Sequence, residues 1–265
     1  GFLFLMINPP FQTSDETSHM YRMYGFSEGI YNFTKRPLSF AKGIYAGLYL
    51  PNNLVGVSQF NSRLWCDTTQ KAHIYQTQKL LKVSLDKNVK VFCAFTPPIY
   101  TPLSYFPGFI ILWIMKIFNV APLVMIYILR FCTLLTYIAM IYYAIKITPV
   151  HKWLFLSAAI VPEAIYFGSS ISTDPIVTGF AFLTTAYALK LTFDDKIKTI
   201  QKKNYITLAL LCLLLNICKF PYLVLSLLIL IIPDKKFEHL KTKYIWLGSI
   251  LLAGIIIDSA LIIQH

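Results

Sequence analysis

From residue 121 onwards the sequence alternates long apolar runs with short loops, and this pattern restricts the fold strongly. An apolar run of about 20 residues crosses the hydrocarbon core of a bilayer as an α-helix. Charged residues make up 14% of the chain, against about 25% in soluble domains. We therefore predict an all-α integral membrane protein, a multi-spanning helical bundle. The predicted spans are 121–145, 153–170, 175–191, 205–218, 220–233 and 244–263.

The loops between these runs differ in charge, and the difference predicts their sides of the membrane. Lysine is concentrated in loops 146–152, 190–203 and 234–243, whereas loop 168–175, GSSISTDP, has no basic residue. Because cytoplasmic loops carry an excess of Lys and Arg, we predict that GSSISTDP lies outside and the other three loops inside. The net charge of +12 then reflects topology and anionic lipid. No nucleic-acid-binding motif accompanies it, so we expect no nucleic-acid partner.

This alternation of sides requires residues 205–232 to form a hairpin of two short arms. Pro221 favours a break, so the sequence CKFPY would be the outer tip. Each arm would reach only about 20 Å as an α-helix of about 13 residues. Lys219 is costly between apolar arms unless it reaches water or an anion. It either extends to the membrane interface or binds a lipid phosphate.

The N-terminal part of the chain is predicted to begin and end outside. Residues 1–10 form the end of a first transmembrane helix, and residues 11–120 form the first external loop, with interfacial helices. Within this loop, residues 103–119 lie in the membrane interface, with Tyr105 and Trp113 as anchors. The first apolar run is too short to span, so we expect the sequence to be a piece of a longer chain.

The motif PPFQTSDETSH directly follows the first apolar run. The spacing of Thr13 and Glu16 is that of a capping box, in which Thr13 bonds an amide of the first helical turn and Glu16 bonds back. An acidic residue also suits the helix dipole at this end. This structural interpretation explains Glu16, but it leaves Asp15 and His19 without a role.

A functional interpretation of the same motif rests on one helix face. Asp15, His19 and Arg22 follow at i, i+4 and i+7, so they share a face of a helix. A carboxylate, an imidazole and a guanidinium together can bind a metal or a phosphate, or act as a general base with its partners. The order Asp-Glu-x-x-His also resembles the zinc-protease motif, but the first ligand differs and no third ligand is evident.

Other charged residues in or beside apolar runs have structural and functional interpretations. Asp174-Pro175 fits a helix start, with Asp as N-cap and Pro at the first position, or supplies a second external carboxylate. Arg130 and Glu163 lie in neighbouring predicted helices. We predict that they form a structural salt bridge with each other.

Six short blocks, in order along the chain, resemble a bacterial family of membrane proteins called DUF2142. They are NPPFQTSDETSHMYRMYGFSEG, GLYLP, YTPLSYFPG, LRFCTLLTYIAMIYYAIKITP, VPEAIYFGSSISTDPI and CKFPYL. The first block matches the family at Asp15, Glu16 and His19, with Ser14 in place of the usual Pro. The later blocks match at Ser170, Ser172 and Asp174, and at Lys219, Pro221 and Tyr222. The family is usually longer, which implies a missing C-terminal part.

DUF2142 is more distantly similar to the GT-C class of membrane glycosyltransferases, and the resemblance implies a function. Such an enzyme moves a sugar from a polyprenyl-phosphate-linked donor to a cell-surface glycan or lipid-linked acceptor, on the extracytoplasmic face of the bacterial cytoplasmic membrane. The implied catalytic residues are Asp15, Glu16, His19 and Asp174. The implied ligands of the donor phosphate are Lys219, Arg22 and Tyr222. A divalent metal, Mg²⁺ or Mn²⁺, between Asp15 and Asp174 is allowed but not required.

Two other functions are compatible with the sequence. A transporter or flippase of lipid-linked glycans would use the same phosphate ligands without chemistry, although such proteins often contain internal repeats and none is visible. An inactive member would be a scaffold in a glycan-assembly complex.

Overall fold

The structure is a computed structural model that describes residues 1–38, 41–65, 67, 69–95 and 100–263. Cys66, which shares the first external loop with Cys93 and could pair with it, lies outside the described residues. The α-helices are α1 (Phe2–Ile7), α2 (Glu16–Ser27), α3 (Asn52–Gln59), α4 (Ile74–Lys79), α5 (Gly108–Ile117), α6 (Pro122–Ile147), α7 (Lys152–Ala159), α8 (Pro162–Gly168), α9 (Asp174–Phe193), α10 (Lys202–Cys218) and α11 (Leu240–Ile263). The strands are β1 (Thr34–Leu38), β2 (Ala41–Pro51) and β3 (Lys90–Ala94).

The chain divides into two compact units, which are described separately. The first unit contains residues 1–135 and 165–173, and the second contains residues 136–164 and 174–265.

The first unit contains an antiparallel sheet in the order β1-β2-β3. The all-α prediction is wrong for this part of the chain, where the sequence analysis expected interfacial helices only. On β2, Leu48 and Leu50 are buried whereas Tyr49 between them is exposed, the two-residue alternation of a strand with one buried face. That signal covers few residues, so it is weak beside the long apolar runs.

Close approach of two strands explains one glycine of this sheet. Gly47 on β2 pairs with Ala94 on β3. A Cβ added to Gly47 would lie 2.2 Å from the carbonyl oxygen of Cys93. Only glycine therefore fits at this position without a shift of the backbone.

Helix α2 is the centre of the core of the first unit. Its residues Met20 and Met23 are buried in one cluster with Leu50 of β2, Leu112 of α5 and Met125 of α6. Almost every residue of α2 from His19 onwards is buried. The N-terminus of α2 is therefore attached to a rigid body.

Three helices of the described chain are long and apolar enough to cross a membrane: Pro122–Ile147, Asp174–Phe193 and Leu240–Leu261. They coincide closely with three of the predicted spans. The predicted single helix over 153–170 is wrong, because α7 ends at Ala159 and α8 begins at Pro162. Proline lacks an amide donor and disfavours the helical conformation of the residue before it.

In the second unit, the helix of the predicted hairpin is interrupted at the predicted tip. Helix α10 ends at Cys218, Lys219 is extended (φ −159°, ψ 101°), and a 3₁₀ helix follows over Phe220–Ile231. At 1.5 Å per residue the 17 residues of α10 span about 26 Å. At 2.0 Å per residue the 12 residues of the 3₁₀ helix span about 24 Å. The 3₁₀ winding thus makes the second arm almost as long as the first.

Two lysines, Lys236 before α11 and Lys243 in its first turn, are buried and bind main-chain carbonyl oxygens. Lys236 Nζ donates to the oxygens of Leu191 at 2.8 Å and Asp194 at 3.1 Å. Lys243 Nζ donates to the oxygen of Ile232 at 2.8 Å and to Asp234 Oδ1 at 2.7 Å. Cations at helix C-termini satisfy carbonyl groups and the helix dipole. These lysines therefore have a structural role besides their contribution to the charge of the loop.

Candidate functional site

The side chain of Glu16 forms a buried ion pair with Arg130. Arg130 Nε donates to Glu16 Oε1 at 2.7 Å, and Arg130 Nη2 donates to Glu16 Oε2 at 2.6 Å. Both side chains are fully buried. This bidentate geometry is the strongest form of the Arg–carboxylate interaction. The predicted pairing of Arg130 with Glu163 is wrong, because the guanidinium is occupied by Glu16 and Glu163 is exposed.

The remaining polar atoms of the pair are satisfied by the main chain. Glu16 Oε2 accepts the amide of Phe11 at 2.9 Å, and Oε1 accepts the amide of Ile171 at 3.1 Å. Arg130 also donates to the carbonyl oxygens of Asn8 at 2.7 Å and Pro9 at 3.1 Å. Within the first unit, Glu16 and Arg130 therefore fix together the end of α1, the start of α2, α6 and the GSSIST segment.

The predicted capping box is absent, because Glu16 bonds Arg130 instead of the helix start. Helix α2 begins at Glu16, its N-cap is Asp15, and no side chain caps it. Thr13, the other member of the predicted box, accepts a hydrogen bond from Asn8 Nδ2 at 2.7 Å. Spacing alone could not reveal this, because the partner of Glu16 lies 114 residues away.

Asp15 is exposed and has a left-handed backbone conformation, φ 58° and ψ 4°. Phe11 also has a positive φ, 63°. Residues other than glycine adopt this region uncommonly, and Asp is among the types that tolerate it. Such strained residues persist where the surroundings hold them, and they cluster at functional sites. The buried pair of Glu16 supplies that support for Asp15.

His19 points into the interior of the first unit, in contrast to Asp15. Its Nδ1 lies 2.9 Å from the hydroxyl oxygen of Tyr105. The imidazole stacks on Tyr100, with ring centroids 5.7 Å apart. Tyr105 is only 2% exposed, so the prediction that it anchors the chain in the membrane interface is wrong.

Arg22 is also buried, and it serves the core of the first unit. Its guanidinium lies 4.2 Å from the ring centroids of both Phe26 and Phe33. Its Nη1 donates to the carbonyl oxygen of Tyr31 at 2.9 Å. Burial lowers the pKa of Arg22 to about 10, although the electrostatic interaction with Tyr105 acts to raise it. The predicted common face of Asp15, His19 and Arg22 therefore does not form one accessible group.

The GSSIST segment packs beside the PPFQTSDE segment within the first unit. Besides the bond from Ile171 to Glu16, the hydroxyl of Tyr166 donates to the carbonyl oxygen of Gln12 at 3.5 Å. Ser170 and Ser172 are buried. Two blocks that sequence analysis singled out separately, up to Thr173, are thus brought together.

In the second unit, Asp174 and Lys219 form an ion pair. Lys219 Nζ lies 3.4 Å from Asp174 Oδ1, and their side chains are 35% and 40% exposed. A half-exposed pair of this length contributes little stability. The carbonyl oxygen of Lys219 accepts a hydrogen bond from the main-chain amide of Tyr222 at 3.1 Å, and Tyr222 is half-buried.

A second polar contact lies one turn before Lys219. Asn216 Nδ2 donates to Asp258 Oδ1 of α11 at 3.1 Å, and Asn216 is 1% exposed. The sequence analysis assigned no partner to either residue. An amide and an acid side chain within apolar runs indicate that each needs a polar partner. The pairing of Asn216 with Asp258 depends on how the helices pack, which the sequence does not show.

The acidic residues do not favour a metal site. Across the described chain, no three His, Cys, Asp or Glu side chains come together in an arrangement that could hold a metal ion. The Asp174 carboxylate already faces an ammonium group, which competes with a cation.

The long apolar helices define the class of this chain as a helical membrane protein. The chain belongs to the DUF2142 family of predicted membrane proteins, whose family model matches residues 1–264. No curated protein and no solved structure matches it.

Proposed function

We propose that this chain is a glycosyltransferase of the bacterial cytoplasmic membrane. It transfers a sugar from a polyprenyl-phosphate-linked donor to a cell-surface glycan or lipid-linked acceptor on the extracytoplasmic face. The proposal rests on the resemblance of the family to GT-C enzymes and on the properties of the acidic residues in the two matched blocks.

The observation that carries the proposal is the contrast between Asp15 and Glu16. Glu16 is buried and fully hydrogen-bonded, so its carboxylate is occupied by structural contacts. Asp15 is exposed, has a strained backbone and makes no capping hydrogen bond with its side chain. A strained, accessible carboxylate on a rigid support is the arrangement expected of a catalytic group.

Asp15 is the proposed general base. It accepts the proton of the acceptor hydroxyl while the acceptor oxygen forms a bond to the anomeric carbon of the sugar. The bond between that carbon and the phosphate oxygen breaks, and its electron pair leaves with the polyprenyl phosphate. Positioned bases of this kind contribute about 10²- to 10⁴-fold to a rate.

Independently of Asp15, Lys219 of the second unit is the proposed ligand of a lipid phosphate. Within the second unit its side chain is 35% exposed, and a cation beside a phosphate stabilises the negative charge that the phosphate gains when its bond to a sugar breaks. Asp174, which holds Lys219 at 3.4 Å, orients the ammonium. Arg22 has no part in the proposed site, because it is enclosed by aromatic rings. His19 supports α2 from the interior through Tyr105.

The test is a transfer assay with a radiolabelled polyprenyl-phosphate sugar in proteoliposomes that contain the purified chain. Asp15→Asn should lose transfer by about 10²-fold or more and should retain its thermal stability. Ser14→Ala is the matched control, because Ser14 is the exposed neighbour. Normal transfer by Asp15→Asn would contradict the assignment of Asp15 as the general base.

The same assay separates the two other functions. Movement of labelled lipid between leaflets without a new glycosidic bond would identify a flippase. Neither transfer nor movement by the wild-type chain with a panel of donors would favour the scaffold.

A further inference from the structure

A polar cavity lies in the first unit at the C-terminal end of α2, the end opposite to Asp15. Its volume is about 490 Å³, and its lining residues are Ser27, Glu28, Gly29, Lys87, Trp113, Lys116 and Ile117. The 12 residues of α2 separate it from Asp15 by about 18 Å. None of its lining residues has a part in the proposed transfer.

The cavity carries more positive than negative charge. Lys116 Nζ donates to Ser27 Oγ at 2.9 Å and contacts the Glu28 carboxylate. Lys90 also lies near Glu28, with Nζ 3.3 Å from Oε2, and Lys87 donates to the carbonyl oxygen of Lys116. Two ammonium groups thus contact the Glu28 carboxylate, and a third, that of Lys87, lines the same cavity.

The pKa of Glu28 agrees with this charge balance. Burial raises the pKa of Glu28, but the hydrogen bonds and charges of Lys116 and Lys90 outweigh it, so the net pKa is lowered. The carboxylate therefore stays ionised and neutralises only one of the three cations.

The apolar edge of the cavity belongs to a helix that leads directly into a membrane span. Trp113 and Ile117 of α5 are 52% and 56% exposed. Helix α5 ends at Ile117, and the candidate span α6 begins at Pro122. Both elements belong to the first unit. Because this connection is short, we expect the cavity to lie close to the membrane surface.

We propose that this cavity binds the phosphate headgroup of an anionic phospholipid. Lys87, which lines the cavity, binds the phosphate, and the exposed apolar side chains of α5 lie against the acyl chains. Trp113 occupies the boundary between them, where its amphipathic ring is favoured. A soluble anion would use the lysines but would leave the apolar edge of the cavity in contact with water, which is why we assign a lipid.

The test is a lipid titration of the purified full chain in detergent, followed by native mass spectrometry. The probe is phosphatidylglycerol, and phosphatidylcholine is the zwitterionic comparison. Lys87→Gln should weaken phosphatidylglycerol binding about fivefold, the effect of one lysine near an anionic surface. Lys87→Arg should retain binding. Lys35→Gln is the matched control, since Lys35 is an exposed lysine of β1 that does not line the cavity.

Each other outcome would overturn the proposal. Equal affinity of wild type and Lys87→Gln for phosphatidylglycerol would show that the cavity does not hold the headgroup. Equal binding of phosphatidylglycerol and phosphatidylcholine would show that the negative charge of the headgroup has no role in binding. Displacement of the lipid by inorganic phosphate at similar concentration would assign the cavity to a soluble anion. None of these results bears on Asp15. The lipid titration can therefore contradict the lipid site without contradicting the proposed transfer, and the transfer assay can do the reverse.

Discussion

Replacement of Arg130 by Met should destabilise the first unit severely. The change leaves the Glu16 carboxylate without exposure to water and with only two main-chain amides as partners. It also removes the donors to the carbonyl oxygens of Asn8 and Pro9. Removal of one partner of a buried ion pair typically costs about 3–5 kcal/mol. We expect a loss of this size in the free energy of unfolding.

The assay is chemical denaturation in detergent micelles, followed by tryptophan fluorescence. Glu163→Gln is the matched control, because the sequence analysis paired Glu163 with Arg130 but its side chain is exposed. This control should change the stability by less than about 0.5 kcal/mol. The double variant Glu16→Gln/Arg130→Met should be less destabilised than the sum of its single variants by about 1 kcal/mol or more. Additive losses, or a large loss in Glu163→Gln, would refute the buried pair.

Three further changes test the structure at other places. Gly47→Ala should open the sheet and destabilise the first unit, because its Cβ would lie 2.2 Å from a backbone oxygen. Gly56→Ala, where the added Cβ meets nothing within 4 Å, should stabilise the folded chain by about 1 kcal/mol. Thermal melts of the two variants test this difference. Since the pKa of Glu28 lies below its usual 4.5, its stabilising effect is present above pH 4.5 and is lost as the pH falls through the lowered value. Acid unfolding should therefore be shallower in Glu28→Gln, and an unchanged profile would contradict this. Lys243→Met should cost about 1–3 kcal/mol by orphaning buried carbonyl groups, unlike exposed Lys241→Met, as denaturation curves would show.

Apolar patterning was sufficient for the long helices and for the break in the second unit. The runs around α6, α9 and α11 are long, so their period and length identify helices without tertiary information. Proline supplied the break after Lys219, because its chemistry acts locally. The same reasoning missed Pro162, which ends a helix by an equally local effect but lies in a strongly apolar run.

Contacts across long sequence separations were not predictable in the same way. Arg130 was expected to pair with Glu163 in the next helix, but its partner is Glu16, 114 residues away. The i, i+4, i+7 rule placed Asp15, His19 and Arg22 on one face of a helix. It could not show that Asp15 precedes the helix in a left-handed turn while the other two face the core.

The short sheet was missed because its signal is weak. β2 has buried leucines on alternate positions, but Gly and Pro within the same stretch lower its strand propensity. Gly47 is required by the close approach of β3, which no local pattern reveals. The ion pair of Asp174 with Lys219 was more accessible to prediction, because the loop charges assigned both residues to the same side of the membrane.

The most direct test of the central claim is the ratio of transfer rates of Asp15→Asn and wild type, measured at equal amounts of folded protein. The account predicts a ratio of about 1:100 or lower, with unchanged denaturation, whereas Glu16→Gln should lose stability. A ratio near 1 in folded Asp15→Asn protein would contradict the account, because the exposed carboxylate would then have no part in the chemistry.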